Sequence, residues 1–463
     1  MTADMQICRL DAAGLQAAYR RGTLSPVEAV ANALARCDDT QPMLNAFVAR
    51  CDDRALAEAR ASEDRHRSGT AVGPLDGVPV SVKDLIEVAG MPCVYGSRSM
   101  LGHVPTEDAP AVARLRAAGA IVIGKTATSE YGYKGYTESP VHGLTRNPWD
   151  LARTPGGSSG GASASVAAGV TPIALGTDGG GSIRSPAALT GLVGIKAQFG
   201  RVPVWPASAT PTLAHVGPLA RSVADAAAVL AVIAGPDPRD HSSLLPLPGL
   251  AAAVAGLRVA FSPTLGYATV APDVADTVAA AVAVLREIWP GMVDLEAPFP
   301  DPAHILATEF IAGCAARLAP TLAGAPEQID PPLRAAIAAL AARPATDYAQ
   351  ILAARMVHRA RLEQLFREID LLITPTTPTV AWPLGQSVPP GLEAATVWSF
   401  FTYPFNLTGQ PAASLPCGTG SHGLPVGLQM IAAPQAEATL IAALAAAEQA
   451  LALPVSSLPL TAG

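Results

Sequence analysis

Two glycine-rich stretches of the chain place serine hydroxyls beside backbone that can turn tightly. RTPGGSSGG, at 153–161, sets Ser158 and Ser159 among four glycines. GTDGGGSIRSP, at 176–186, sets three consecutive glycines before Ser182. Consecutive glycines let successive amide N–H groups converge on one point, which makes a cradle for an anion. Beside a serine hydroxyl, such a cradle can hold the oxyanion of a tetrahedral intermediate, so this pairing indicates acyl transfer.

Other interpretations of RTPGGSSGG fit the residues less well. Gly/Ser composition alone favours a flexible linker. A phosphate-binding P-loop needs G-K-[ST] after the glycines, and that signature is missing. The segment at 157–161 matches G-x-S-x-G, but a nucleophile elbow must follow a buried strand, whereas the preceding RNPWDLARTP is polar and contains prolines.

A serine nucleophile needs a base, and neither stretch has a histidine close to it in sequence. The chain has four lysines, all in its first half, and Lys83 follows the alternating apolar residues of GVPVSVK, a pattern typical of a strand. Arginine keeps its charge, whereas burial lowers the pKa of a lysine towards the useful range. Lys83 is therefore the best placed of the four lysines to act as a base, and a surface lysine paired with Asp84 fits the residues equally well.

The surrounding pattern alternates helices and short buried strands, which predicts an α/β fold. We expect a helical lead-in over 1–65, in which the capping box at Ser25 marks the start of one helix. A catalytic core is predicted over 66–235 and 366–463. The proline-rich segment 234–249 is predicted to connect to a helical insertion or cover over 250–365. No repeat divides the chain, so 1–463 is predicted to be a single domain.

Composition narrows the partners and the location. The net charge is -7 over 463 residues and no basic stripe is present, which predicts no nucleic acid partner. We expect no membrane span and no secretory signal, because no apolar run approaches the roughly 18 residues of a span. The cytoplasm is therefore the predicted location. The scattered cysteines and histidines predict neither disulfides nor a metal site, and no cofactor is implied.

Three segments together resemble the amidase signature family: GVPVSVKDL, RTPGGSSGGASASVAAG and LGTDGGGSIRSPAALTGLVGIKAQFGRVP. The resemblance extends from LNAFV to the terminal GLPVGLQMI, so it covers most of the chain. It implies the amidase signature fold, in which a large mixed β-sheet is covered by α-helices on both faces. It also implies a metal-independent serine hydrolase of amide C–N bonds.

The same resemblance assigns roles to single residues. Ser182 is expected to be the nucleophile, Lys83 the base, and Ser158 the bridging serine on a cis peptide after Gly157. The oxyanion is expected to bind the amides of Gly179, Gly180, Gly181 and Ser182.

Three further residues of the motifs are expected to support the site. Ser159 either donates a supporting hydrogen bond or caps the following helix. Asp178 and Arg184 flank the glycines and are expected to form a structural pair that shapes them.

Aromatic residues suggest which amide is cleaved. Tyr131, Tyr136, Trp398 and Phe401 lie in two aromatic clusters that form either ordinary core or the wall of a substrate pocket. The second possibility predicts an aryl or apolar amide, or a carbamate or ester, as a small-molecule substrate of an aryl acylamidase or urethanase. A homodimer is compatible with this expectation.

Two other functions stay open. One is the glutamine-hydrolysing A subunit of a glutamyl-tRNA amidotransferase, in which the segment S-L-D-x-I-G-P typically carries an aspartate. This chain has Thr212-Leu213-Ala214-His215-Val216-Gly217-Pro218 there, which weighs against that subunit. The other is a non-catalytic binding scaffold, which the chemically competent residues at all three catalytic positions disfavour.

Overall fold

The computed structural model describes residues 2–244, 252–452 and 459–460. The helices are α1 Met5–Arg9, α2 Ala12–Arg21, α3 Pro26–Leu44, α4 Asp52–Ser68, α5 Pro110–Ala117, α6 Gly160–Ala167, α7 Arg184–Thr190, α8 Val223–Ile233, α9 Pro272–Ile288, α10 Ala303–Gly324, α11 Pro331–Ala341, α12 Ala345–Glu368, α13 Pro404–Thr408 and α14 Glu437–Leu451. The strands are β1 Phe47–Arg50, β2 Pro79–Lys83, β3 Ile121–Thr126, β4 Glu138–Ser139, β5 Gly143–Leu144, β6 Ile173–Asp178, β7 Val193–Lys196, β8 His215–Ala220, β9 Val259–Phe261, β10 Val293–Asp294, β11 Leu371–Pro375, β12 Ala412–Thr419 and β13 Pro425–Ala432.

One sheet of 11 strands runs through the molecule in the order β1-β3-β2-β6-β8-β7-β12-β13-β11-β9-β10. Strand β2 pairs in parallel with β3 and β6, and β9 pairs in parallel with β10 and β11, whereas the pairs around β7, β8, β12 and β13 are antiparallel. The sheet is therefore mixed, and helices cover it. The predicted α/β fold is confirmed.

The sheet brings the two glycine-rich stretches to one edge. Strands β2 and β6 are parallel neighbours, so their carboxyl ends meet at the same edge. Lys83 is the last residue of β2 and Asp178 is the last residue of β6. Helices α6 and α7 begin just after the serines of the two stretches, which places all the predicted catalytic side chains around this edge.

Helix α6 packs closely because its residues are small. All eight of its residues, GGASASVA, are buried. A Cβ added at Gly161 would lie 2.4 Å from the backbone nitrogen of Ala127 and 2.7 Å from the carbonyl oxygen of Ala46. Only glycine allows this approach, and the helix therefore holds the preceding serines firmly against the sheet.

The predicted division of the chain needs two corrections. The lead-in over 1–65 contains β1, which pairs with β3 at one end of the sheet. The segment 250–365 contributes the strands β9 and β10 to the other end of the sheet, and the helices α10 to α12 follow them. These strands have two to four residues, too few to show an alternating pattern. Of the predicted connection at 234–249, residues 245–249 lie outside the described residues.

Helix α10 departs from the expectation that no segment approaches the length of a membrane span. It has 22 residues and a mean hydropathy of 1.3 over its most apolar 18-residue window, so length and composition alone would allow it to cross a membrane. One such helix is weak evidence, because core helices of soluble proteins meet the same criteria. Its buried residues Ile311, Cys314 and Leu318 pack in a cluster with Leu333 and Ile337 of α11.

Candidate active site

Lys83 lies at the centre of a buried hydrogen-bond network. Its Nζ is 2.7 Å from Ser158 Oγ, 2.8 Å from Ser159 Oγ and 2.8 Å from Thr177 Oγ1, and its side chain is fully buried. Burial disfavours the ammonium form and lowers the pKa of Lys83 well below its usual value, although the charge of Asp178 acts in the opposite direction. A buried lysine with a lowered pKa is suited to accept a proton.

The alternative pairing of Lys83 with Asp84 is absent from the described structure. Asp84 Oδ1 instead accepts from Nζ of Lys125 at 3.2 Å, and both of these side chains are buried. Lys83 therefore contacts hydroxyl groups, while Lys125 forms the ion pair with the carboxylate of Asp84.

The two adjacent serines differ in their hydrogen bonds. Ser159 Oγ donates to the carbonyl of Thr177 at 3.1 Å and accepts from the amide of Thr177 at 3.3 Å. Ser159 is the N-cap residue of α6, but its side chain makes no capping hydrogen bond. Because its proton is already donated, Ser159 acts towards Lys83 as an acceptor. Ser158 Oγ has no other partner within the described part of the chain, so its proton is available to the lone pair of a neutral Lys83.

Ser182 opens onto the same cavity as Ser158. Both serines, together with Thr177 and Gly179, line one cavity, and Ser182 is half-buried. Its hydroxyl makes no hydrogen bond to any residue that the structure describes. The peptide between Gly157 and Ser158 is cis, as the family resemblance implies. The structure thus brings Ser158 and Ser182 to one cavity, and the third expected catalytic residue, Lys83, is fully buried and contacts Ser158.

The amides of the glycines before Ser182 differ in their hydrogen bonds. Gly181 has a φ of 129°, and its amide donates to Asp178 Oδ1 at 2.7 Å. The amides of Gly179, Gly180 and Ser182 have no hydrogen-bond acceptor among the residues described. Three of the four amides expected to bind the oxyanion are thus available, and the amide of Gly181 is engaged with the carboxylate beneath.

Asp178 and Arg184 form a buried pair beneath the glycines. Arg184 Nε lies 2.9 Å from Asp178 Oδ2 and Arg184 Nη2 lies 3.0 Å from Asp178 Oδ1, with both side chains inaccessible to solvent. The amide of Asn406 donates to Asp178 Oδ1 at 2.8 Å. Burial alone would raise the pKa of Asp178, but the charge and hydrogen bonds of Arg184 outweigh it and hold that pKa well below its usual range. The pair anchors the turn of glycines to α7.

Aromatic side chains line two cavities that meet at Ser182. Tyr131 lies in the cavity that contains Ser158, while Tyr136 and Trp398 lie in the second. Phe401, expected in the same wall, lines neither cavity. Its side chain is fully buried in the core, where packing rather than substrate contact explains its aromatic character.

Several cavity residues were not predicted from the sequence. Trp205, Phe310 and Arg317 line the cavity of Ser158, and Thr177 completes the contacts of Lys83. Phe310 and Arg317 lie on α10, in a segment that was expected only to form a helical cover. No local motif distinguishes them, because their role depends on how α10 packs against the glycine turn, where Phe310 approaches Gly179.

His215 and Lys196 lie beside the catalytic network. Lys196 Nζ is 3.4 Å from His215 Nε2, and His215 Nδ1 is 2.8 Å from the carbonyl of Leu213. Burial lowers the pKa of both side chains well below the usual values. No group of three or more metal-ligating side chains occurs in the described ranges.

Comparison with known proteins gives a family match over most of the chain. The family model described as Amidase matches residues 28–441. The A subunit of the glutamyl-tRNA(Gln) amidotransferase of Chloroflexus aggregans (strain MD-66 / DSM 9485) is 39% identical over 462 residues, covering 92% of this chain and 93% of that protein. The corresponding protein of Chloroflexus aurantiacus (strain ATCC 29366 / DSM 635 / J-10-fl) is 38% identical, with 94% and 95% covered.

Among solved structures, a bacterial aryl acylamidase of the amidase signature enzymes is similar throughout. It is 30% identical, covers 95% of this chain and 96% of its own, and superposes with a TM-score of 0.87.

These relatives correct one expectation from the sequence. The predicted partners were a small-molecule amide or carbamate, without nucleic acid or membrane and with a homodimer allowed. That prediction is wrong, because the curated relatives at 38–39% identity are subunits of an enzyme named for glutamyl-tRNA(Gln). The net charge was a poor guide to the partners because it describes the surface of one chain only. In an enzyme of several subunits, another subunit can contact the nucleic acid.

Proposed function

This chain belongs to the amidase signature family and acts on amide C–N bonds, and we propose that it does so through an acyl-enzyme formed on Ser182. The observation that carries the proposal is the 2.7 Å contact between Lys83 Nζ and Ser158 Oγ at the cavity that also contains Ser182. A scaffold without catalysis has no use for a buried lysine held among hydroxyl groups, because burying an amine is costly.

In the proposed first step, neutral Lys83 takes the proton of Ser158, and Ser158 takes the proton of Ser182. The oxygen of Ser182 then attacks the carbonyl carbon of the amide. The carbonyl oxygen becomes negative, and the unengaged amides of Gly179, Gly180 and Ser182 donate hydrogen bonds to it.

The leaving nitrogen must be protonated before the C–N bond breaks. Lys83 returns the proton through Ser158 to that nitrogen, and the amine or ammonia departs. Water attacks the resulting ester through the same relay, which frees the acid and restores Ser182. The chain's own side chains supply every proton transfer in this sequence.

The first candidate substrate is glutamine, whose side-chain amide would be the source of ammonia. In this role the chain would release ammonia for transfer to glutamate carried on tRNA, as one component of a larger enzyme. Support comes from the 38–39% identity to glutamyl-tRNA(Gln) amidotransferase A subunits over more than nine-tenths of each chain. With this role, the proposed location of the chain is the cytoplasm, where aminoacyl-tRNA is used.

The second candidate is an aryl or apolar amide. Tyr131, Trp205 and Phe310 line the cavity of Ser158, and Ala214 lines it at the position where the amidotransferase pattern has an aspartate. The similarity to a bacterial aryl acylamidase supports the same candidate. A carbamate or an ester presents the same carbonyl to Ser182 and belongs to this candidate.

One experiment separates the two candidates. Ammonia release from glutamine is measured for wild type and Ser182→Ala, alone and with the remaining subunits of a bacterial amidotransferase and glutamyl-tRNA(Gln). Release of 4-nitroaniline from an acyl 4-nitroanilide and of aniline from an aryl carbamate is measured beside it. Glutamine turnover that rises with the added subunits supports the first candidate, and anilide turnover without them supports the second. Equal activity of wild type and Ser182→Ala on every substrate would exclude the nucleophile.

A further inference from the structure

The cavity that Ser158 and Ser182 share is lined by charge of one sign only. Among its described lining residues, Arg317 carries the single permanent charge, and no aspartate or glutamate is present. His215, the other basic residue there, is kept neutral by burial, which lowers its pKa well below the usual value. A substrate entering this cavity therefore meets one fixed positive charge and no negative one.

Arg317 is not used in an ion pair within the described chain. Its guanidinium lies over the ring of Tyr95, 6.0 Å from the centroid, and Tyr95 stacks on Tyr131 with centroids 5.8 Å apart. By contrast, Arg355 of the neighbouring helix α12 is paired, with its Nη1 2.5 Å from Glu309 Oε2. Arg317 is exposed where it lines the cavity, and beside this aromatic pair its hydrogen-bond donors are available to a ligand.

Helix α10 sets how far Arg317 lies from the reacting atoms. Phe310, on the same helix, packs against the glycine turn, since a Cβ added at Gly179 would lie 3.2 Å from its ring. Arg317 follows seven residues later, which is about 10 Å along a helix. Arg317 nevertheless lines the same cavity as Gly179 and Ser182, so its guanidinium and the glycine turn are open to one ligand.

We propose that Arg317 binds a carboxylate carried by the substrate, so that the enzyme selects amides that bear an acid group a few bonds from the scissile carbonyl. The inference rests on the proposed function, because it takes Ser182 as the reacting group. Glutamine and monoamides of dicarboxylic acids both belong to this class. An α-ammonium group gains nothing in the cavity, since no carboxylate lines it among the described residues.

The test compares three 4-nitroanilides that share a five-carbon acyl chain. Glutaric acid mono-4-nitroanilide carries the carboxylate, its methyl ester lacks the charge, and γ-glutamyl-4-nitroanilide adds an ammonium. The enzymes are wild type, Arg317→Gln, Arg317→Lys and the control Arg359→Gln, which removes an exposed arginine of α12 that pairs with Glu363. Thermal melting checks that each variant is folded.

Wild type is expected to prefer the acid to the ester. Arg317→Gln lowers kcat/KM for the acid about 10- to 100-fold more than for the ester, through KM, because a charge-assisted hydrogen bond to the bound substrate is lost. Arg317→Lys retains part of the preference, and Arg359→Gln retains all of it. The ammonium of the γ-glutamyl substrate adds no more than about twofold to kcat/KM.

Two results would overturn the inference. One is an acid-to-ester ratio that stays within twofold of wild type in Arg317→Gln, and the other is a gain above tenfold from the ammonium. If wild type cleaves none of the three substrates, the substrate class given in the proposed function is wrong. Calorimetric binding of glutarate to wild type and Arg317→Gln then decides about Arg317 alone, because equal affinities contradict the carboxylate site.

Discussion

Lys83 Nζ lies 2.7 Å from Ser158 Oγ, while the hydroxyl of Ser182, on the same cavity, has no hydrogen bond within the described chain. In the proposed relay, the contact between the base Lys83 and Ser158 is therefore formed, and the contact between Ser158 and the nucleophile Ser182 is not. Hydrogen bonds at catalytic sites often tighten only when substrate binds. A carbonyl bound by the amides of Gly179 and Gly180 would orient Ser182 towards Ser158, so we expect substrate binding to complete the proposed relay.

Removing the amine of Lys83 is expected to lower kcat about 10²- to 10⁴-fold, the usual contribution of a positioned base. Lys83→Ala has no base, and Lys83→Arg has one that stays protonated, so the arginine variant is expected to do no better. Steady-state rates on a substrate that wild type turns over provide the measurement. A near-normal rate in Lys83→Arg would contradict the assignment of the base.

The pH dependence of kcat/KM follows from the burial of Lys83. Burial lowers the pKa of this amine well below its usual value, and only the neutral amine can accept the proton of Ser158. The rate is expected to fall as the pH drops through the lowered pKa and to level off above it. A pH profile of kcat/KM measures this limb, and a rate independent of pH from mildly acid to alkaline solution would point to another base.

The two serines that contact Lys83 are expected to differ when each is changed to alanine. Ser158→Ala removes the proton carrier, so its kcat falls about as far as that of a variant without the base. Ser159→Ala removes one acceptor from Lys83 while Ser158 and Thr177 still hold the amine, and about tenfold is expected, the rate equivalent of one hydrogen bond. Similar losses in both variants would show that Ser159 shares the relay.

The buried pair of Asp178 and Arg184 is expected to control stability. Asp178→Asn leaves the buried guanidinium without its carboxylate, which costs about 3 to 5 kcal/mol in the free energy of unfolding. Glu363→Gln breaks the exposed pair with Arg359 on α12 and serves as the control, with an expected cost of about 0.3 to 0.5 kcal/mol. Urea unfolding measures both variants, and equal losses would refute the anchoring role of Asp178.

Local patterns in the sequence predicted the parts of the fold that depend on neighbouring residues. The capping box at Ser25 forms as expected, because its partner Glu28 is three residues away. The alternating valines before Lys83 form the strand β2. The family resemblance supplied the pairing of Lys83 with Ser158, which residue spacing alone left open because 75 residues separate the two.

Contacts between distant segments escaped prediction for a physical reason. Arg317 and Phe310 line the cavity only because α10 packs against the glycine turn, and nothing in their own helix signals that contact. Phe401 was expected in the cavity wall and is buried instead, since an aromatic cluster in sequence fits core and pocket equally well. Short strands such as β9 also gave no alternating pattern.

The glycine turn gives the sharpest test of the oxyanion site, because neighbouring glycines differ in the space around them. A Cβ at Gly181 would lie 2.2 Å from Thr402 Oγ1, and its φ of 129° disfavours any other residue. A Cβ at Gly180 would meet only Leu306, at 3.3 Å from Cδ2, a flexible side chain that can move slightly.

Gly181→Ala is therefore expected to distort the turn and lower kcat at least 100-fold, as the loss of an oxyanion donor does, whereas Gly180→Ala keeps the turn and loses less than about tenfold. Rates of both variants, with melting temperatures to verify folding, provide the comparison. If Gly181→Ala is folded and as active as Gly180→Ala, the amides of this turn do not hold the oxyanion, and stabilisation of the tetrahedral intermediate must come from elsewhere in the cavity.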